Sequence, residues 1–292
     1  MKVLVTGSAG QLGQDFCDVL RRQGVDFLAP DCDQMNFLQP ESIREGIHAA
    51  APQWVVNCAA YTQVDKAEQD REQAFMVNRD AARVLAESAQ AVDAAVLHVS
   101  TDFVFSGQQR DQPYLETDTT GPLSVYGQSK QEGEAEVLKA CPDSIVLRTA
   151  WLYGARGQNF VKTMLRLARE RDELRVVADQ IGTPTWTRDL ADAMWQLMQK
   201  KQTGLFHYCN EGQASWHEFA CAIVEDARAL GYALKVEHVI PITTSEYPTP
   251  ARRPAYSVLS REKIQALLDK PIPHWRQSLG LMLKELQQCP DC

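Results

Sequence analysis

At 292 residues the chain can form one large α/β domain or a domain with a smaller lobe. Hydrophobic residues make up 45% and charged residues 23%, as in soluble globular proteins, and a net charge of -8 argues against nucleic acid as the main partner. No apolar run approaches a membrane span, and the first residues lack a signal peptide's apolar core, so the expectation is a cytoplasmic enzyme with no membrane partner.

Lys2 to Thr6 reads as a buried strand running into Gly7-Ser8-Ala9-Gly10-Gln11-Leu12-Gly13, and a helix follows with Leu12, Phe16, Val19 and Leu20 on one face. Strand, glycine turn and helix together make a dinucleotide-binding motif. Gly7 allows the tight turn, Gly10 lets backbone approach a diphosphate, and Gly13 permits close helix packing. The spacing is G-x-x-G-x-x-G; a plain tight turn is the alternative.

Val25 to Ala29 is a second strand. Asp31 and Asp33 follow at the distance of a ribose-binding acid, which favours NAD over NADP; a solvated loop acid is the alternative. A helix is expected from Pro40 to Ala50, then a third strand at Trp54 to Ala60. Asn78 to Gln90 reads as a helix and Ala94 to Val99 as a strand ending at Ser100-Thr101. A hydroxyl there lies where open α/β sheets bind ligands. The loop 106–123 precedes a helix that starts at Pro122 or Ser124 and carries Tyr126 and Lys130. That spacing puts phenol and ammonium on one helix face, a device for moving a proton to or from a carbonyl or alcohol.

Ile145 to Arg148 is a further strand. Phe160 to Arg171 is a helix with Phe160, Met164, Leu167 and Ala168 inward. Leu174 to Val177, Leu205 to Cys209 and Val236 to Ile240 read as strands. Arg188 to Met198 and Trp216 to Leu230 read as helices, and the tail from Arg261 as mostly helical. Strict alternation weakens after Trp151. The expected division is therefore a Rossmann-type doubly wound parallel sheet over 1–150, with a return around 186–200, and a smaller discontinuous α/β substrate lobe over 151–292. Cys17, Cys32, Cys58, Cys141, Cys209 and Cys221 are scattered singly and read as small buried hydrophobes; Cys289 and Cys292 read as a frayed tail, not a metal site.

These residues resemble the extended short-chain dehydrogenase/reductase family over nearly the whole chain. The resemblance rests on Thr6 to Gly13, Asn57 to Glu68 (NCAAYTQVDKAE), Ser100 to Phe105 (STDFVF), Pro113 to Glu116 with Tyr126 to Lys130, Arg148 to Tyr153 (RTAWLY), Asp179 to Thr185 (DQIGTPT) and Tyr247 to Pro254 (YPTPARRP). The DKAE, DQIGTPT and PTPARRP segments narrow it to members that reduce a keto sugar carried on a nucleotide. It implies hydride delivery from NADH or NADPH to C4 of a 4-keto-6-deoxy sugar. Tyr126 would be the general acid, Lys130 would lower its pKa and hold the nicotinamide ribose, and Thr101 would bind the carbonyl oxygen.

By the same resemblance Gly10, Gln11 and Leu12 line the diphosphate, Asn36 and Phe37 border the adenosine, and Ala60, Tyr61 and Thr62 the nicotinamide side. Ala59 and Val99, at two strand ends, join the cofactor-binding set. Asp102 and Trp151 would touch the sugar, and Arg253 the nucleotide diphosphate. Three positions depart from many relatives: Phe103 replaces a tyrosine, Asn36 an aspartate, and Asp15 a glutamate linked in some to magnesium at a dimer contact. The shorter Asp15 leaves magnesium and a homodimer open. Two alternatives stand beside this reading. One is another nucleotide-sugar reductase or epimerase of the family, which a substrate panel separates. The other is a non-catalytic regulatory subunit, which would need none of Thr101, Tyr126 and Lys130.

Overall fold

The computed structural model describes residues 1–108 and 110–288; the Cys289/Cys292 pair lies outside the described residues. The first half alternates strictly. β1 (Lys2–Thr6), α1 (Gln11–Arg22), β2 (Asp26–Leu28), α2 (Pro40–Ala50) and β3 (Trp54–Asn57) lead through the short α3 (Val64–Ala67) and α4 (Arg71–Phe75) to α5 (Ala81–Ala91). Next come β4 (Ala95–Thr101), α6 (Val125–Ala140) and β5 (Ile145–Thr149). β1 and β3 read as unbroken apolar runs because helices cover both their faces. On one face Phe16, Val19 and Leu20 of α1 pack on the sheet; on the other, α2 and α5 do so through Ile43, Ile47, Val84 and Leu85.

The second half is β6 (Leu152–Tyr153), α7 (Phe160–Glu170), β7 (Glu173–Val177), β8 (Ile181–Gly182), β9 (Thr185–Trp186) and α8 (Thr187–Gln199). It continues through β10 (Gly204–His207), β11 (Ala214–Ser215), α9 (Trp216–Ala229), β12 (His238–Ile242), α10 (Glu262–Gln265) and α11 (Trp275–Gln288). α8 and β10 rejoin the first core. Leu190, Met194 and Leu197 of α8 pack against α1, and β10 becomes the edge of a six-stranded parallel sheet in the order β10-β5-β4-β3-β1-β2. α10 also returns to the first core through Ile264, while α7, β7, α9 and α11 bury their own cluster around Phe219, Ile223, Leu279 and Leu283.

Three local expectations are corrected. The helix expected from Asn78 begins at Arg71 and passes through a π-helical turn at Met76–Asp80. In α7 the buried side is Val161, Met164, Leu165 and Ala168, while Phe160 and Leu167 are only half-buried and open onto a cavity. Met164 and Ala168 are buried as expected, but both sides of that helix are apolar, and periodicity alone set the inward stripe one position off. The last strand is shifted to His238–Ile242 and pairs in parallel with β7; its Pro241 is tolerated because the sheet has only two strands. Among the described residues no helix is long and apolar enough to cross a membrane.

The two cores meet at Trp151, whose backbone is left-handed (φ 47°). Its indole stacks on Trp216 at 3.5 Å between ring centroids, and its other neighbour is Gly182, where an added Cβ would lie 2.5 Å from the ring. Gly182 is therefore the residue of the DQIGTPT segment that makes room for the tryptophan. Gly182→Ala is expected to lose about 1–3 kcal/mol of stability in urea and to weaken the near-UV signal of the stacked indoles. Wild-type values for both would contradict this packing.

Candidate active site

The glycine turn is built as a seat for a diphosphate. Gly7 has φ 67°, and a Cβ on it would strike the backbone of Cys58 and Ala59 at about 2.5 Å. Gly13 approaches so closely that its Cβ would lie 2.2 Å from the Gly7 carbonyl oxygen. Gly10 starts α1 without any side-chain cap, so the first amides of the helix, at Gln11, Leu12 and Gly13, face outward with the positive end of the dipole. The Gln11 side chain turns the other way and joins the lobes, donating to the Leu152 carbonyl (3.3 Å) and accepting from Asn159 (3.3 Å).

Asp31 is exposed beside this turn, where Ser8 Oγ reaches the Ala29 carbonyl, and its carboxylate accepts the amides of Asp33 and Gln34 in its own loop. Asn36 also organises local backbone, accepting the Leu38 amide, while Phe37 packs on the α2 side of the core. After β3, Ala59, Ala60, Tyr61 and Thr62 form the next wall. Its shape depends on Asn78, in the π-helical turn, which accepts the Tyr61 amide (2.8 Å) and donates to the Tyr61 carbonyl and to Ser129 Oγ on α6. Sequence reasoning missed Asn78 as a site residue; the asparagine inside an otherwise apolar helical pattern was its signal.

Thr101 sits at the C-terminal end of β4, buried, with its hydroxyl donating to Asp102 Oδ1 (3.1 Å) and capping Phe103 N (3.2 Å). α6 starts alongside. Ser124 caps it through the Gly127 amide, and Glu68 accepts the Val125 amide at 2.8 Å. One turn of α6 then presents Tyr126 and Lys130 to the end of β4, so all three expected catalytic residues converge. Phe103, the departure from tyrosine, packs its ring edge-to-face on Tyr126 at 5.6 Å.

Burial pushes the Tyr126 phenol up to about 12; the Thr101 hydroxyl pulls it down and the Asp102 charge pushes it further up. This corrects the expectation of a phenol drawn toward neutrality by Lys130. The Lys130 ammonium, 2% exposed, is instead drawn to the Val99 carbonyl at 2.7 Å, and burial brings it down to about 8. Tyr126 is thus firmly protonated, a proton donor by ground state. Burial also pushes the Asp102 carboxyl up to about 6, against the pull of the Ser257 and Thr101 hydroxyls, and its Oδ2 is buried without a hydrogen-bond partner.

The second core carries a cavity of about 430 Å³, walled by Phe160, Trp216, Tyr247, Arg175 and Arg253 among others. Aromatic rings with guanidinium groups suit a nucleoside diphosphate. Arg253 is clamped by Asp65 through two parallel hydrogen bonds (3.0 and 2.7 Å), and Asp65 also accepts the Ala251 amide. The guanidinium holds that carboxyl below its usual range. The DKAE segment is thereby accounted for: Asp65 grips the proline–arginine loop, Lys66 pairs with Asp70 at 3.0 Å, Ala67 is buried, and Glu68 caps α6. Sequence reasoning missed Asp65, Arg175 and Trp216 as site residues.

Asp15 does not fit a magnesium ion. Its carboxylate is taken by Thr187 Oγ1 at 2.5 Å and faces Arg156 at 3.7 Å, and among the described residues no group of three or more His, Cys, Asp or Glu is arranged for a metal.

A parallel, doubly wound sheet whose strand-end threonine meets a Tyr-x-x-x-Lys helix defines a short-chain dehydrogenase/reductase of the extended kind. More particularly, the chain belongs to the family described as RmlD substrate binding domain, whose model matches residues 1–288. It is 43% identical to a dTDP-4-dehydrorhamnose reductase of Burkholderia thailandensis, over 98% of this chain and 99% of that one. A crystal structure of a dTDP-4-dehydrorhamnose reductase from Clostridium acetobutylicum superposes with a TM-score of 0.91 at 39% identity, covering 98% of this chain and 100% of that one. One from Bacillus anthracis, in complex with NADP, gives 0.92 at 36% identity, covering 97% and 99%.

The buried Asp102 yields a signed prediction. Its carboxyl is raised from 3.8 to about 6, so between those values the folded state binds more protons than the unfolded state, and stability falls as pH rises through the window. Above it the cost of the buried charge is constant. Asp102→Asn keeps an acceptor for Thr101 and Phe103. It should be more stable than the parent at pH 7 by about 1–3 kcal/mol, the gain shrinking as pH falls toward 4. Chemical denaturation across pH checks this; a pH-independent difference would refute the assignment.

Proposed function

We propose that this chain reduces dTDP-4-dehydro-β-L-rhamnose to dTDP-L-rhamnose, using NADH or NADPH, in dTDP-rhamnose biosynthesis in the cytoplasm. The observation that carries the reading is the convergence of Thr101, Tyr126 and Lys130 at one strand end, and the cavity with aromatic and guanidinium walls supports a nucleotide-linked substrate. The full-length likeness to named dTDP-4-dehydrorhamnose reductases supports the choice of carbonyl.

A bound dinucleotide supplies the hydride. The outward amides of Gln11, Leu12 and Gly13 hold its diphosphate, and the wall Ala59–Thr62 with Val99 borders the nicotinamide end. Thr101 Oγ1 orients the C4 carbonyl oxygen. Tyr126 donates its phenolic proton to that oxygen as negative charge develops on it, and the Lys130 ammonium, one turn away and anchored on the Val99 carbonyl, would hold the nicotinamide ribose. The unpaired Oδ2 of Asp102 accepts a sugar hydroxyl, and the Trp151–Trp216 stack forms an apolar floor. Arg253 and Arg175 face the nucleotide diphosphate.

Tyr126→Phe should lower kcat by about 10²–10⁴ while leaving cofactor binding and melting temperature near the parent's. A kcat close to the parent's would remove Tyr126 from the acid role. Following NAD(P)H absorbance with dTDP-, UDP- and GDP-linked keto sugars tests the substrate itself; turnover confined to a UDP- or GDP-sugar would replace the reading with that of another family reductase. Arg253→Ala should raise KM for the sugar nucleotide about 10- to 100-fold and leave the dinucleotide KM unmoved. Equal effects on both would take Arg253 out of the substrate site.

A further inference from the structure

A chain of buried polar side chains runs across the sheet beneath the site, and none of the roles above uses it in full. Thr6 Oγ1 on β1 donates to Asn57 Oδ1 on β3 at 2.8 Å, and the Ala59 amide donates to the same oxygen at 3.1 Å. Asn57 Nδ2 lies 3.0 Å from His98 Nδ1 on β4, and His98 Nε2 lies 3.4 Å from Lys130 Nζ. All four side chains belong to residues no more than 2% exposed.

The sense of the chain follows from donor and acceptor chemistry. A backbone N–H only donates, so the Asn57 atom facing Ala59 is its oxygen. Its amide nitrogen therefore faces His98 and donates. His98 Nδ1 must accept, and the neutral imidazole then carries its proton on Nε2. That N–H is turned on Lys130, whose ammonium has donors and no acceptor. A charged imidazole would oppose donors at both ends, and burial together with the Lys130 charge holds His98 well below its usual range.

We propose that His98 is a positioning residue acting through Lys130: fixed as the Nε2–H tautomer by Asn57, it opposes the ammonium, leaves it the Val99 carbonyl as its acceptor on this side, and so weakens the protonated form and frees its other donors for the cofactor and Tyr126. The proposal rests on the role given to Lys130 above. The other titratable groups around Lys130 are Glu134 and Tyr126, one turn away on either side along α6, and Cys58 at the end of β3. Glu134 favours the ammonium, but its carboxylate is gripped by Arg148 at 2.8 and 2.6 Å. Burial pushes the Cys58 thiol up to about 12, so it is neutral. With the ammonium already brought down to about 8 by burial, a donor turned on it acts where the charge is poised.

Two measurements test this, and the first needs neither substrate nor variant. Nitrogen-15 NMR of labelled histidine, with His98 assigned by its contacts to the Lys130 methylenes, should show a protonated Nε2 and a bare Nδ1 from about pH 6 to about 9. A proton on Nδ1, or an imidazolium at the lower end, overturns the proposal. The second follows the Lys130 titration by carbon-13 NMR of its ε-methylene. In His98→Gln, whose side-chain carbonyl can turn to the ammonium, the midpoint should rise by about half to one unit, and the alkaline limb of kcat/KM should move with it. His98→Asn, which keeps a partner for Asn57 but nothing at the Nε2 position, should shift it less. Unmoved midpoints in folded variants overturn the proposal. The NMR results stand whether or not the protein reduces the sugar nucleotide, so the two readings can fail separately.

Discussion

Lys130 places a buried ammonium against β4, an interior strand of the sheet, and much of the molecule is arranged around that fact. A buried charge is tolerated only where acceptors and opposite charge replace water. Here the Val99 carbonyl supplies the nearest acceptor, and Glu134 supplies charge one turn further along α6. Glu134 is buried too, so it needs Arg148 on β5. Arg148 in turn lies over the Phe105 ring at 5.0 Å and reaches His207 on β10 at 3.4 Å. His207 accepts or donates no further charge; burial and Arg148 hold it neutral, down to about 3, and it meets the Tyr114 carbonyl. One functional cation is thus balanced through four elements before the network reaches the loop that follows β4.

The cavity side uses a different economy of contacts, built on segments and not on single side chains. Asp179 and Gln180 hold Thr244, Gly182 admits Trp151, and Thr183 donates to the Gly212 carbonyl. Asp65 holds Arg253 and the backbone of Ala251 together. Asp65 ties the loop carrying Arg253 to the first core, while the other contacts fasten loops of the second core to one another around Trp151. The Asp65–Arg253 pair is partly exposed, and its contribution to stability is correspondingly small; its consequence is geometric.

This division explains what could be read from the chain alone. The parallel sheet, the glycine turn and the Thr101, Tyr126 and Lys130 trio depend on local periodicity and on spacings within one strand or helix, which a single sequence displays. The clamp on Arg253 joins residues 188 positions apart, and no local pattern carries it. Lys130 is legible as a lysine one turn from a tyrosine, but its charge state depends on burial and on Asn57 and His98, which come from other strands. Sequence reasoning passed over His98, a polar residue in an apolar strand, because that signal has many meanings until its neighbours are known. For α7 the pattern was misleading because the helix has two apolar sides, one for the core and one for the cavity.

The return of the chain through α8 and β10 has a consequence for how such a molecule could be recombined. Leu190, Met194 and Phe206 complete the same core as Phe16 and Leu20, so a cut after residue 150 would leave that core unfinished. The cavity-bearing portion is not a tail that could be exchanged as one cassette. Its elements lie on both sides of α8 and β10 in the chain, and Ile264 and Ile272 near the C-terminal end pack back into the first core. A new substrate specificity would have to be grafted at both places at once, or introduced within the loops without disturbing either junction.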